Sequence, residues 1–186
     1  MYKRRLRLKN KMGARQFDYY IFIDYSENLI GYNIIAKEKI NGILPKITKH
    51  QKSEDFCGLK ISKEIFKFRH YKDARNKKLY LKNVKNTFKK ESLLDFFLKK
   101  KIRYIKDNME IFIDVGEFIR EHANCLILIS VDDNQYLSFE KFVEFIDGKN
   151  IKVIKESQLI ENTFEYKVSL VLDNWLNIKR TENEKI

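Results

Sequence analysis

The sequence predicts an α/β domain with parallel strands, and three observations carry that prediction. Cys125 to Val131 is an unbroken apolar run, β-branched at Ile127, Ile129 and Val131 and too short for a helix, which is how a strand buried on both faces reads. A polar turn then leads into a helix signal: Ser138 can cap, while Phe139, Phe142, Val143 and Ile146 recur at helical spacing and Gly148 ends the segment. Apolar residues resume at Ile151, Val153 and Ile154. Such a strand, helix, strand unit almost always makes a right-handed crossover between parallel strands. Ligands of open parallel sheets sit outside the carboxyl ends of the strands, and Asp132 and Asp133 stand at that end.

Taken in order, residues 1–16 read as a basic arm, 17–180 as a single α/β domain and 181–186 as a tail. Phe17 to Asp24, FDYYIFID, is an aromatic and β-branched strand that stops at an aspartate. Tyr25 to Asn28 is a polar turn. Leu29, Ile30, Ile34, Ile35 and Ile40 fit either a helix face or a second strand, and periodicity does not decide between them. Asn41-Gly42 and Pro45 read as punctuation before a basic loop over 46–60. Ile65 to Tyr71 alternates as a strand does. Asn86 or Thr87 can cap a helix running to about Lys100, with Phe88, Leu93, Leu94, Phe97 and Leu98 as its apolar face. Ile102, Tyr104 and Ile105 suggest a short strand, Ile111 to Ile113 an apolar run up to Asp114, and Phe118 and Ile119 a short helix. Phe164 to Ile178 closes the chain as a helix, with Val168, Leu172 and Trp175 on one stripe.

At 186 residues and 44% apolar content the chain suits one domain with a sizeable core. No apolar window reaches the roughly 18 to 20 residues that span a bilayer, and the N-terminus lacks a signal-peptide core, so a cytoplasmic protein is expected. Cys57 and Cys125 have no metal-type spacing and read as inert thiols; His50, His70 and His122 share no ligand spacing either. The formal charge of +12 is regional. Residues 3–15 carry seven cations and no acid, and a second excess from Lys60 to Lys106 interleaves with aromatic rings. That pattern suits RNA or single-stranded nucleic acid, with Arg69, His70, Lys99, Lys100, Lys101 and Arg103 as the contacts. A Lys-rich genome or a thermophile's charged surface would produce similar counts. Homodimerisation is left open.

Asp24, Asp114, Asp132 with Asp133, and Asp173 stand out by position. Carboxylates gathered from separate strand ends repel unless a cation joins them, and hard oxygen ligands favour Mg²⁺ or Mn²⁺, which can activate a water. Each acid also has an ordinary use: Asp132 or Asp133 can cap the following helix, Asp24 can form an Asx-turn, Asp114 can be a surface acid and Asp173 can pair with a lysine. Asp133 is expected to point to the other side of the turn.

These motifs resemble the PIN/NYN superfamily of metal-dependent ribonucleases. Ile23-Asp24 with Asn28-Leu29 is similar to the end of that family's first strand, and Ile113-Asp114-Val115 to its middle motif. Ser130-Val131-Asp132-Asp133-Asn134 with Gly148-Lys149 resembles its signature strand, although Val131 stands in place of a Gly and Asn134 in place of the second Asp. Leu172-Asp173-Asn174-Trp175-Leu176 is similar to its late motif. The resemblance implies a three-layer α/β/α sandwich with a mainly parallel central sheet. It implies catalysis by Asp24, Asp114 and Asp132, with those three, Asn134 and Asp173 around Mg²⁺ or Mn²⁺, and a neutral Asn134 implies weak metal affinity. The alternative is an RNase H-like mixed sheet, with residues 29–37 an antiparallel second strand and Asp173 on the final helix. A third reading is an inactive nucleic-acid-binding or partner-binding module.

Overall fold

The computed structural model describes residues 16–48, 68–146 and 148–183. The arm up to residue 15, Cys57, most of the 46–60 loop and the end of the tail lie outside the described residues. In chain order the elements are β1 (Tyr19–Ser26), β2 (Leu29–Ala36), α1 (Lys37–Thr48), α2 (Lys77–Lys90), β3 (Lys99–Tyr104), α3 (Met109–Glu121), β4 (Ile127–Val131), α4 (Tyr136–Phe145), β5 (Ile151–Lys155) and α5 (Phe164–Asn183). No helix among the described residues is long and apolar enough to cross a membrane.

The five strands form one mixed sheet in the order β3-β2-β1-β4-β5. β1 pairs parallel with β4, and β4 with β5, while β2 is antiparallel to both β1 and β3. β2 alone therefore runs against the other four, and residues 29–36 are a strand. The hairpin joining it to β1 has only Glu27 and Asn28 between the paired ends Ser26 and Leu29. Glu27 accordingly takes a positive φ of 54°, as two-residue hairpin turns demand.

Alternation along the strands divides the core in two. Tyr20, Phe22 and Leu128 pack with Ile40 and Ile43 of α1, Leu81 and Val84 of α2 and Val168, Val171 and Leu172 of α5. Ile21, Ile23, Ile129 and Val131 pack with Ile111, Val115 and Phe118 of α3 and Phe139 and Val143 of α4. At Gly31 the approach of α5 is so close that a Cβ would lie 3.1 Å from side-chain carbons of Leu176 and Ile102.

Several elements depart from expectation. Gly42 and Pro45 lie inside α1, whose Ile40, Ile43 and Ile47 are buried; burial of that stripe outweighs the local helix-breaking tendency. The helix expected from residue 86 starts at Lys77, because the Asn76 side chain accepts the Leu79 N–H at 3.1 Å. It ends at Lys90. Ser92 then takes a φ of 48°, Leu93–Phe96 form a single 3-10 turn, and the Lys99 end of the expected helix is already strand. Of the strand expected over 65–71, Phe68 to His70 are irregular and Tyr71 opens a 3-10 turn. Ile111 to Asp114 belong to one continuous helix, α3.

Candidate metal centre at the carboxyl ends of β1, β4 and β5

In the parallel register Ile23 lies beside Val131 and Val131 beside Lys155, so the next residues line one edge: Asp24, still paired with Gly31 of β2, and the residues with which the chain leaves β4 and β5. Phe22, Leu128 and Ile154 contribute to the α5 side, and the same parity carries forward to Asp24, Asp132 and Glu156. Oxygen atoms of these three carboxylates lie within 4.8 Å of one another. Backbone bonds hold two of them: the Asp132 N–H donates to the Ile23 carbonyl at 3.2 Å, and Asp24 Oδ1 accepts the Tyr25 N–H at 2.7 Å. Glu156 opens the 3-10 turn Glu156–Gln158. Asp133 fixes that turn, accepting the Ser157 N–H at 3.1 Å and the Ser157 hydroxyl at 2.6 Å.

α5 adds a fourth carboxylate, Asp173. Its Oδ2 accepts the Tyr71 N–H at 3.0 Å and lies 3.8 Å from His70 Nδ1, while its Oδ1 accepts from the Asn177 amide at 3.2 Å. The segment that delivers these donors is itself tied down. The Arg69 carbonyl accepts from the Tyr80 hydroxyl at 2.7 Å and from the Asn174 amide at 2.9 Å, and the Arg69 N–H donates to the Tyr80 oxygen at 3.0 Å. His70 and Lys72 are thereby set beside the acids, with Arg69 next to them in the chain.

The electrostatics follow from burial and crowding. Burial foremost, then the charges of Glu156 and Asp173, push the Asp24 carboxyl well above the ordinary carboxylate range, against the Tyr25 N–H. Burial, then the charges of Asp173 and Asp132, push Glu156 from 4.5 up to about 7, with Lys72 opposing. Asp173 is raised by burial against the Tyr71 N–H, His70 and Lys72. Asp133 is lowered by its Ser157 bonds. Ionised together, these groups repel; a divalent cation with hard-ligand preference would offset that repulsion, and three converging carboxylates are a donor set such ions take.

Asp24 and Asp132 thus come together, with Asp173 next to them. Asp114 does not join them. α3 packs on the face opposite α5, where the Asp114 carboxylate accepts from the Tyr32 hydroxyl at 3.0 Å and pairs with Lys101. Asn134 is exposed and donates its backbone N–H to Asp132 Oδ1 at 2.9 Å; the third carboxylate of the cluster is Glu156. Of the expected nucleic-acid contacts, Arg69 and His70 flank the site. The β3 cations are two strands away from β1. Lys99 pairs with Glu121 at 3.6 Å, Lys101 with Asp114 and Arg103 with Glu110 at 2.7 Å, and Lys100 lies across from Asn33 in the ladder. Their charge is largely spent on α3. Glu156 and Lys72 were not singled out from the sequence; Glu156 immediately follows β5, the position that the strand-end rule marks. Comparison with protein-family models, with characterised proteins and with solved structures gives no match.

Proposed function

We propose that this chain is a metal-dependent nuclease acting on RNA or single-stranded nucleic acid. The observation that carries the reading is the convergence of Asp24, Asp132 and Glu156 within 4.8 Å at the ends of three parallel strands. Mg²⁺ or Mn²⁺ would be held by those three residues. When bound, such an ion lowers the pKa of a water and offsets charge developing on phosphoryl oxygens. The chain's own part is positional. Asp24, the deepest acid, is set by the Tyr25 N–H, Asp133 presents Glu156 through Ser157, and Asp173 holds the Tyr71 backbone so that His70 and Lys72 face an incoming phosphate. The surplus of 38 basic over 26 acidic residues suits a polyanionic substrate.

Of the two resemblances, the RNase H-like one is favoured, with a mixed sheet between helix layers. The reversed β2 and the acid on the last helix are the features it expects.

The test is cleavage of labelled single-stranded RNA and DNA with Mg²⁺, Mn²⁺ or EDTA, for wild type, Asp24→Asn, Asp132→Asn and Glu156→Gln. Metal-dependent cleavage lost in all three variants is the expected result. No cleavage, with variants matching wild type in metal-induced thermal shift, would replace the enzyme by a binding module.

A further inference from the structure

On the α5 side, up to two helical turns before Asp173, lies a cleft of about 370 Å³ whose described lining includes Thr48, Phe68, Arg69, Glu161, Tyr166 and Lys167. One histidine connects the two places. The His70 ring meets the Tyr166 ring edge-on at 5.6 Å, and its Nδ1 lies 3.8 Å from Asp173 Oδ2. The Tyr166 hydroxyl is raised by burial first, then by the charges of Glu161 and Asp73, and least by those of Glu156 and Asp173.

We propose that this cleft is the subsite for a nucleotide flanking the scissile phosphate of a single-stranded substrate, with Tyr166 offering a stacking surface and Arg69 and Lys167 the phosphate contacts. The proposal rests on the nuclease reading and adds to it which part of the surface grips the strand. Three observations support it. A half-buried aromatic ring, Tyr166, and two cations, Arg69 and Lys167, line the same cleft, Phe68 being buried in the core, and stacking plus charge is how single strands are held without base pairing. Neither Arg69 nor Lys167 makes an ion pair among the described residues, whereas Lys99, Lys101 and Arg103 on β3 are engaged by acids of α3. Finally, the Arg69 backbone is locked by Tyr80 and Asn174, so its guanidinium projects from a fixed base and less ordering cost falls on binding. A duplex would keep its bases stacked on each other and offer Tyr166 no free face.

The experiment measures binding of a short fluorescein-labelled single-stranded RNA, and of the same sequence as a duplex, in EDTA. Wild type is compared with Tyr166→Ala, Arg69→Ala and the β3 control Lys101→Ala. Tyr166→Ala should raise the Kd for the single strand roughly tenfold. Arg69→Ala should raise it several-fold and flatten its salt dependence, and Lys101→Ala should do neither. If Tyr166→Ala unfolds, Tyr166→Leu keeps the apolar packing without the aromatic face. Wild-type affinity in the Arg69 and Tyr166 variants, or duplex binding as tight as single-strand binding, overturns the subsite. Because binding is read without metal, the two readings fail separately. Metal-dependent cleavage with unaltered Kd in the variants keeps the nuclease and removes the subsite. Cleft-dependent binding without cleavage removes the nuclease and leaves the cleft a binding site for a single strand.

Discussion

Replacing Glu156 by Gln should stabilise the metal-free protein, and the structure sets the size and the pH window. The carboxyl is pushed from 4.5 up to about 7 by burial and by the charges of Asp173 and Asp132. A folded-state value above the unfolded one means that the folded chain holds the proton more tightly. Stability contributed by the protonated group is therefore complete below pH 4.5 and is lost as pH rises to about 7. The shift corresponds to about 3 kcal/mol, a ceiling because Asp24 and Asp173 adjust their own protonation when a neighbour changes. Gln keeps the shape and removes the charge, so at pH 8 in EDTA the variant should gain up to about 3 kcal/mol, or roughly 6 to 12 °C in Tm. At pH 4 the two proteins should coincide. Saturating Mn²⁺ should invert the order, since ligand binding stabilises the form that binds it better. Urea or thermal unfolding at the two pH values, each with EDTA or Mn²⁺, checks all of this. A variant less stable than wild type at pH 8 in EDTA, or a difference independent of pH, would refute the crowded-carboxylate account.

Three further changes separate the site from its surroundings. Asp114→Asn should cost about 1 kcal/mol or less by losing its pair with Lys101, and should leave the Mn²⁺-induced thermal shift unchanged; loss of that shift would return Asp114 to the site. Asp133→Ala should remove both Ser157 bonds, cost about 1 to 3 kcal/mol and weaken Mn²⁺ binding by freeing Glu156, as calorimetric titration would reveal. Gly31→Val should cost about 1 to 3 kcal/mol in denaturant titration through overpacking against Leu172 and Leu176, and a neutral result would mean that α5 can draw back.

What the sequence revealed was decided by how strongly each segment was patterned. β1, β4 and β5 announce themselves by apolar runs that end at acids or lysine, and α5 by its helical stripe, so Asp24, Asp132 and Asp173 were recognisable from position alone. β2 was not. A strand buried along nearly its whole length, LIGYNIIA, has no alternation to distinguish it from a helix, and its direction separates the two sheet arrangements considered. Asp114 resembles a strand-end acid because Ile111 to Ile113 look like a strand when read without Val115, Phe118 and Ile119, which share the buried helical face with Ile111 while Ile113 points outward. Glu156 is less legible for a simpler reason: the apolar residues of β5 stop at Ile154, and Lys155 separates them from the acid. The residues at 69–72 reach the site through tertiary anchors, Tyr80 and Asn174 on Arg69 and Asp173 on Tyr71, which no local pattern encodes.

The shared parity of Asp24, Asp132 and Glu156 limits how this chain can change in length. Each acid lies on the α5 side because it is an even number of residues from an inward-facing neighbour, Phe22, Leu128 or Ile154. Deleting one residue within β4 would turn the Asp132 side chain toward α3 and α4 even if the apolar content of the strand survived. The joins that carry Asp132, Glu156 and the 69–72 segment are held by the bonds described above and share this constraint, whereas the other joins do not. Insertions should therefore be tolerated in joins remote from the acids, such as the one between α3 and β4, while a single-residue length change inside β1, β4 or β5, or between β4 and Asp132, should leave a sheet without a site.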